Sequence, residues 1–354
     1  MDIKTLIRKE VFEQQGYRTA ITSCTIKMDA MENPFTLSPF LKGKLSEEFI
    51  KVPLNRYPEP GALTIRKRFA DHYGVGEDTI MIGNGSDELI QILCTALADS
   101  ASVVMVPAPT FVMYRIIALN TGRTVIEVPL DAAFDLDLDA MCNCLTTKTP
   151  ALVFISSPNN PTGNCFSEKK IETIIEKSMG IVVIDEAYSS FSGKTLLPLL
   201  KKYENLAILK TLSKVGLAAM RIGFLIGAPP LVRELDKVRL PYNINALSQV
   251  AAGFYIDHID MFVNQTKEVI ERREELLKVL SKIKGIHPYS SEANFIFFSC
   301  DFDTDHVYRS LIHEGILIKN LNGPGILKNC MRVTVGNREE NEQFLKALKK
   351  VIQK

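Results

Sequence analysis

Lys214 lies in a sequence setting that suits covalent chemistry. Together with Ser213 it stands between two apolar runs, 206–210 and 222–226, among Val, Gly, Leu and Ala, and Arg221 follows seven residues later. An ammonium group held there would be desolvated, which lowers the pKa of a lysine and makes its amine a nucleophile that forms Schiff bases. A surface position is the plain alternative for any single lysine, and these neighbours fit it poorly.

Two carboxylates, Asp185 and Glu186, follow the run Ile-Val-Val-Ile at 181–184. That run is apolar at consecutive positions, as a strand buried on both faces must be, so we expect it to be central in a sheet. A carboxylate at the end of such a strand is costly unless it is paired. Asp185 could cap the next turn, or it could pair with a cation such as a protonated pyridine ring, and its neighbours leave both interpretations open.

Two turns carry further polar groups. The segment GNGSDE, Gly83 to Glu88, opens an apolar helix, and we expect Ser86 to be its N-cap, with free backbone N–H groups that form an anion site. It is not a dinucleotide fingerprint, because Glu88 stands where the third glycine would be, and a capped helix without a ligand explains it too. The segment SSPNNPTG, Ser156 to Gly163, places two Asn amides between prolines, which turn chemistry alone also explains.

The elements around these segments indicate an α/β fold. Helical patterns and short apolar strands alternate from about residue 61, with helices at 62–73 and 87–98 and strands at 102–106, 124–128, 151–155, 181–184, 206–210 and 222–226. This alternation is typical of a mostly parallel sheet covered by helices. Ligands of such sheets bind beyond the carboxyl ends of the strands, which is where all four polar segments lie.

The pattern changes after residue 229. Charged helices are predicted at 230–239, 245–258 and 259–283, followed by strands at 293–298, 316–319 and 331–335 and helices at 304–314 and 337–353. This part favours a smaller α+β unit. We therefore expect an N-terminal arm at 1–56 with a short helix, packing on the small domain, a large domain at 57–240 and a small domain at 241–354.

The bulk composition favours a small-molecule partner. The 354 residues suit two domains, and 42 Lys and Arg nearly balance 41 Asp and Glu, which leaves no basic field for nucleic acid or an anionic membrane. The seven cysteines are scattered without metal-ligand spacing, and no apolar run suits a signal peptide or a membrane span. We expect reduced thiols, no metal and a cytoplasmic protein.

Eight segments in order resemble the fold type I aminotransferases, which depend on pyridoxal 5'-phosphate, and more closely the histidinol-phosphate aminotransferases. These segments are DAMENP, NRYPEP, GNGSDE, PAPTFVMY, SPNNPTG, DEAY, TLSK and MRVTVG, and they run from about residue 28 to 336. The resemblance implies a ping-pong transfer of an amino group between glutamate and imidazole-acetol phosphate in histidine synthesis.

The resemblance also implies roles around the cofactor ring. Lys214 would hold the cofactor as a Schiff base and carry the proton at the substrate Cα. Asp185 would pair with the pyridine nitrogen, and Asn160 and Tyr188 would hydrogen-bond the ring oxygen. Phe111 stands where the family usually has a tyrosine stacked on the ring, and stacking needs only the aromatic face.

For the cofactor phosphate, the resemblance implies binding by the side chains of Ser86, Ser213 and Arg221 and by the backbone N–H of Asp87. Tyr57 would reach the phosphate from a second subunit, as its counterpart does in the family. The resemblance therefore implies a homodimer.

For the substrate, the resemblance implies that Arg332 binds the carboxylate of glutamate and the phosphate of histidinol phosphate. Lys319 stands where the family commonly has an arginine, so the second anion contact would be a point charge and not a fork. The Tyr-x-Pro-Gly of many family arms is missing, and GYRTA stands at 16–20. Asn33 of DAMENPF could face the substrate.

Three other functions compete with this interpretation. An aromatic amino acid aminotransferase would use the same scaffold, and a threonine-phosphate-type decarboxylase shares the fold and the motifs. A pyridoxal-phosphate-binding transcription regulator would need an extra DNA-binding domain, for which the chain has neither the length nor, at a net charge of +1, the basic character.

Overall fold

The structure is a computed structural model that describes residues 3–13, 16, 23–97 and 102–353. Its α-helices, α1 to α13 in chain order, are Lys9–Phe12, Pro39–Ile50, Leu63–Tyr73, Ser86–Ala96, Met113–Asn120, Leu138–Lys148, Glu168–Lys177, Ser189–Ser192, Pro229–Asp236, Ala246–Asp257, Ile259–Leu280, Thr304–His313 and Arg338–Ile352. Its strands, β1 to β13, are Ile26–Lys27, Ile80–Asn84, Val103–Ala108, Thr124–Pro129, Leu152–Ser156, Ile181–Asp185, Leu206–Thr211, Ile222–Gly227, Ile286–Pro288, Phe295–Cys300, Ile316–Leu317, Lys319–Asn320 and Cys330–Thr334.

The predicted helices and strands are present, with their ends shifted by a few residues. The last residue of the helix predicted at 87–98 lies outside the described residues. The strand predicted at 316–319 is wrong as one element, because β11 pairs with the N-terminal strand β1 while β12 joins a different sheet. Strand β2 was not predicted. Its apolar run is only three residues long, Ile-Met-Ile, and is followed by Gly-Asn, which are typical turn residues.

The large sheet has seven strands in the order β2-β8-β7-β6-β5-β3-β4. The five strands from β7 to β4 run parallel to one another, while β8 and the edge strand β2 are attached in antiparallel fashion. The prediction of a mostly parallel sheet is therefore confirmed. Strand β6, which ends in Asp185, is fourth of the seven and so occupies the predicted central place.

Helices cover both faces of this sheet, as buried parallel strands require. On one face, Leu93 of α4 and Tyr114 of α5 share an apolar cluster with Phe154 of β5. On the other face, Ile171 of α7 and Met141 of α6 share an apolar cluster with the strand residue Ile184. This coverage leaves the carboxyl edge of the strands as the open part of the sheet.

The C-terminal part forms a four-stranded antiparallel sheet in the order β12-β13-β10-β9, packed against α12 and α13. Strand β1 adds to this unit through its pairing with β11. Ile244 and Phe262, in contrast, share an apolar cluster with Phe69 of α3. The domain boundary predicted at residue 241 stays a prediction, and this packing favours one inside α11.

The seven cysteines are free thiols. Among the described residues, no helix combines the length and the apolar character needed to span a membrane.

Candidate active site

The strand-end segments meet in one cavity at the carboxyl edge of the large sheet. Its lining residues come from the carboxyl ends of β5, β6 and β7, from the segments that follow β2, β3, β6 and β7, and from the residue before β8. They are Ser86, Asp87, Phe111, Ser156, Asp185, Ala187, Tyr188, Thr211, Ser213, Lys214 and Arg221. Six different stretches of chain therefore converge on one small volume, as the strand-end argument predicts.

Lys214 lies on a single π-helical turn, Ser213–Leu217, between β7 and β8. Its Nζ donates a hydrogen bond of 3.3 Å to the carbonyl oxygen of Ala30 and lies 5.7 Å from the centre of the Tyr188 ring. Desolvation, reinforced by the charge of Arg332, lowers the pKa of Lys214 to about 8. The direction of this shift agrees with the prediction, and the amine loses its proton more readily than that of an ordinary lysine.

Asp185 is only 3% exposed, and each of its oxygens has a donor. Oδ2 accepts a 2.6 Å hydrogen bond from the Tyr114 hydroxyl, and Oδ1 accepts one of 2.9 Å from the backbone N–H of Ala187. Burial raises the pKa of Asp185 to about 6 in spite of these bonds. Through the bond to Ala187 the carboxylate caps the next turn. Because both of its donors are neutral, it faces the cavity without a direct cationic partner among the described residues.

Asn160, Tyr188 and Arg332 form a buried chain beside the lysine. Asn160 Nδ2 donates to the Tyr188 hydroxyl at 3.3 Å, and Asn160 Oδ1 accepts from Arg332 Nη1. Arg332 Nη2 donates to the carbonyl oxygen of Asp29 at 2.9 Å, which fixes the guanidinium. Burial raises the pKa of Tyr188, so its hydroxyl stays protonated. Arg332 is itself buried and is not one of the residues that line the cavity.

The start of α4 forms the polar floor of the cavity. The prediction that Ser86 is the N-cap of this helix is wrong. The N-cap is Gly85, at φ 79°, and Ser86 is the first helical residue, with no side-chain cap. This positive φ favours glycine at position 85, and a Cβ there would also lie 2.6 Å from Arg221 Nη2. Glu88 instead reaches back and accepts from the backbone N–H of Asn84 at 2.6 Å. The Ser86 hydroxyl is thus not used as a cap.

Arg221 ties this floor to the lysine turn. Its Nη2 donates to Asp87 Oδ2 at 3.0 Å, and its Nη1 donates to Ser213 Oγ at 3.5 Å. Thr211 Oγ1 donates to the same Ser213 oxygen at 2.9 Å. Hydroxyls, a guanidinium and the N–H groups of a helix N-terminus therefore face one point, which is the donor set that binds a phosphate.

Of the remaining predicted residues, Phe111 lines the cavity, while Asn33, Lys319 and Tyr57 do not. Phe111 is part of its wall, in edge-to-face contact with Tyr114 at 5.4 Å. Asn33 donates to Gln265 Oε1 at 3.2 Å, and Lys319 lies on β12. Tyr57 is 80% exposed, outside the cavity of its own chain. Most of the GYRTA segment at 16–20 lies outside the described residues.

Four lining or supporting residues were not predicted: Tyr114, Ser156, Ala187 and Thr211. Tyr114 belongs to the segment PAPTFVMY and lies three residues after Phe111, at the start of α5. That spacing is the signal that could have placed it near the cavity. Ser156, Ala187 and Thr211 lie in the segments SSPNNPTG, DEAY and TLSK, and nothing in their residue types marks them as lining residues from sequence alone.

Comparison with known proteins identifies the family of this chain. The family model for class I and II aminotransferases matches residues 25–348, so the chain belongs to that family. A protein of Nitrosococcus oceani named histidinol-phosphate aminotransferase 2 is 46% identical over 97% of this chain and 96% of its own length. One of Aquifex aeolicus named histidinol-phosphate aminotransferase is 38% identical over 98% of each chain.

A solved structure supports the fold. The crystal structure of histidinol-phosphate aminotransferase from Sinorhizobium meliloti in complex with pyridoxal-5'-phosphate superposes with a TM-score of 0.85, covers 94% of this chain and 92% of that one, and is 21% identical. The predicted fold type I architecture is confirmed by this likeness.

Proposed function

We propose that the protein is a pyridoxal-5'-phosphate-dependent histidinol-phosphate aminotransferase, which transfers an amino group between L-glutamate and imidazole-acetol phosphate. The observation that carries this proposal is that Lys214, Asp185 and the phosphate-type donor set around Arg221 line one cavity. The names of the full-length relatives, the more similar at 46% identity, support the choice of substrate.

The residues of the cavity fit the cofactor. A lysine with a lowered pKa suits its aldehyde, and a buried carboxylate with only neutral donors suits its protonated ring nitrogen. The donor set at the start of α4 suits its phosphate, and the aromatic face of Phe111 suits its ring. When bound, the cofactor supplies the electron sink that makes the Cα–H bond of the amino substrate acidic.

The residues of the cavity would bind three different parts of the cofactor. Ser86, Ser213, Arg221 and the N–H of Asp87 would hold the phosphate. Asn160 and Tyr188, which already share a hydrogen bond, would hold the ring oxygen. Asp185 would keep the ring nitrogen protonated, because a buried carboxylate gains most from a cation placed against it.

Lys214 would be the acid and base of the reaction. Once released from the cofactor by the substrate amine, the Lys214 amine would take the proton from the substrate Cα and deliver it to the cofactor carbon C4′. A pKa of about 8 suits both directions, since the group can lose and regain a proton near neutral pH.

Arg332 and Lys319 would bind the anionic end of the substrates. Both substrates carry such a group, a carboxylate on glutamate and a phosphate on histidinol phosphate. The two residues are register partners on β13 and β12, so their side chains leave the same face of the sheet. Asn33, held by Gln265 next to the lysine turn, is the third substrate contact that we propose.

A homodimer belongs to this proposal. Tyr57 stacks on Tyr242 with ring centroids 4.5 Å apart, and both side chains are exposed. Leu54, Leu63 and Leu240, which are close to them in sequence, are exposed too. Exposed aromatic and aliphatic groups in one region are typical of a protein interface. A second copy covering them would bring Tyr57 of the partner subunit to the phosphate. A cytoplasmic location, supported by the free cysteines, is part of the same proposal.

Steady-state kinetics with identified products test this function against its competitors. We expect parallel lines in double-reciprocal plots of histidinol phosphate and 2-oxoglutarate, as a ping-pong reaction requires, and glutamate as a product. A higher kcat/KM for phenylalanine or tyrosine would favour the aromatic aminotransferase. Release of carbon dioxide from threonine phosphate would favour the decarboxylase.

A further inference from the structure

We propose that Tyr114 is a positioning residue of this site, whose hydroxyl keeps Asp185 ionised and aimed at the ring nitrogen of the cofactor. The inference rests on the proposed function, because Asp185 has a ring nitrogen to meet only if the cofactor binds in this cavity.

The Tyr114 ring has a rigid setting. Its side chain is fully buried, stacks on Phe154 at 4.8 Å with an interplanar angle of 2°, and receives Phe111 edge-to-face at 5.4 Å. Two aromatic contacts from different elements fix the plane of the ring and so fix the place of its hydroxyl. That hydroxyl donates the 2.6 Å hydrogen bond to Asp185 Oδ2, and Oδ1 is occupied by the N–H of Ala187.

The cost of burying this hydroxyl points to a role beyond packing. Tyr114 lies in the apolar cluster of α4, α5 and the sheet, among Leu, Ile, Val and Phe side chains. A buried hydroxyl is tolerated when it has a partner, and the partner here is the carboxylate of the cavity. Burial and the neighbouring Asp185 raise the pKa of Tyr114 well above its usual range, so it acts only as a donor.

The charges around Asp185 do not ionise it by themselves. Burial raises its pKa, and the charge of Asp87 at the start of α4 acts in the same direction. Lys214 lowers it, but less than the Tyr114 hydrogen bond does, and Tyr188 in the adjacent turn is neutral. The Tyr114 bond is therefore the strongest influence that favours the ionised carboxylate before the cofactor arrives.

A pH titration of cofactor affinity tests this inference. Apoprotein of the wild type, of Tyr114→Phe and of Tyr255→Phe is titrated with pyridoxal 5'-phosphate across the acid range, and the pH at which affinity falls is compared. Tyr255 is a matched control, since it is a buried tyrosine in a different apolar cluster. Thermal midpoints of the three proteins show whether the variants fold equally well.

We expect the acid midpoint of Tyr114→Phe to move up by about one to two pH units, because a hydrogen bond to the ionised carboxylate is lost. Affinity well above that midpoint and the wild-type midpoint in Tyr255→Phe should stay unchanged. An unchanged midpoint in Tyr114→Phe, or an equal shift in Tyr255→Phe, would overturn the inference. Either of these two results would leave the proposed function intact. A wild-type protein that never binds the cofactor would instead contradict the inference and the proposed function together.

Discussion

Arg332 and Lys319 are register partners on adjacent antiparallel strands, and the Arg332 guanidinium is fixed by Asn160 and by the carbonyl oxygen of Asp29. A rigid arginine fork thus has a more flexible lysine charge on the same face of the sheet. We infer that the fork orients the substrate anion and that the lysine adds attraction.

Lys319→Ala should therefore raise the KM for histidinol phosphate by about tenfold and leave kcat nearly unchanged, because one charge-assisted contact is lost in ground state and transition state alike. Lys284→Ala, at an exposed lysine of the same unit, is the control. An unaltered KM in Lys319→Ala would remove this residue from the substrate site.

Lys214→Ala should abolish the visible absorption of covalently held cofactor and lower kcat by at least about 10²-fold to 10⁴-fold, since the proton carrier at Cα is gone. The control is Lys201→Ala, which changes a lysine exposed on the surface. Spectra and turnover are measured on the same preparations. Normal turnover by Lys214→Ala would refute the assignment.

The pH dependence of cofactor capture follows from the lowered pKa of Lys214, about 8. Only the neutral amine attacks an aldehyde, and the neutral fraction grows as pH rises through this pKa. Stopped-flow mixing of apoprotein with cofactor should show a rate that falls about tenfold per pH unit below that point and levels off above it. A midpoint near the ordinary lysine value would mean that the amine is not desolvated.

Asp185→Asn keeps the shape of the side chain and removes its charge. We expect kcat to fall by about 10²-fold or more with a much smaller change in KM, because the protonated ring nitrogen matters most in the transition state. A kinetic isotope effect at the substrate Cα that becomes larger in the variant would place the loss at proton abstraction. An unchanged kcat would mean that another group protonates the ring.

The dimer is tested by mixing two defective chains. Tyr57→Ala should bind the cofactor weakly, and Lys214→Ala should be inactive. In a mixed dimer of the proposed kind, one site would combine Lys214 of the first chain with Tyr57 of the partner subunit and would be complete. Activity of the re-associated mixture should therefore exceed the sum of the separate variants, and a plain sum would show that each chain completes its own site.

Much of the site could be predicted because its chemistry is tied to strand ends. The buried run before Asp185 and the apolar runs on both sides of Lys214 each indicate a strand by composition, and the carboxyl edge of the sheet brings them together. The resemblance of eight ordered segments then assigned the donors around them.

What could not be predicted depends on tertiary contacts. Gly85 replaces Ser86 as the N-cap, at a positive φ that favours glycine, and Arg221, more than a hundred residues away in sequence, packs beside it. Tyr114 reaches Asp185 only because α5 packs over β5, and its type alone suggests a core residue. The short strands β11 and β12 separate because their partners come from opposite ends of the chain.

The most direct test of the central claim is a half-reaction. Histidinol phosphate is added to cofactor-loaded protein without any keto acid, and the visible absorption of the bound cofactor is followed. We expect complete loss of that band at low substrate concentration, its return on addition of 2-oxoglutarate, and a much weaker response to phenylalanine. No change with histidinol phosphate, together with a full response to an aromatic amino acid, would contradict it.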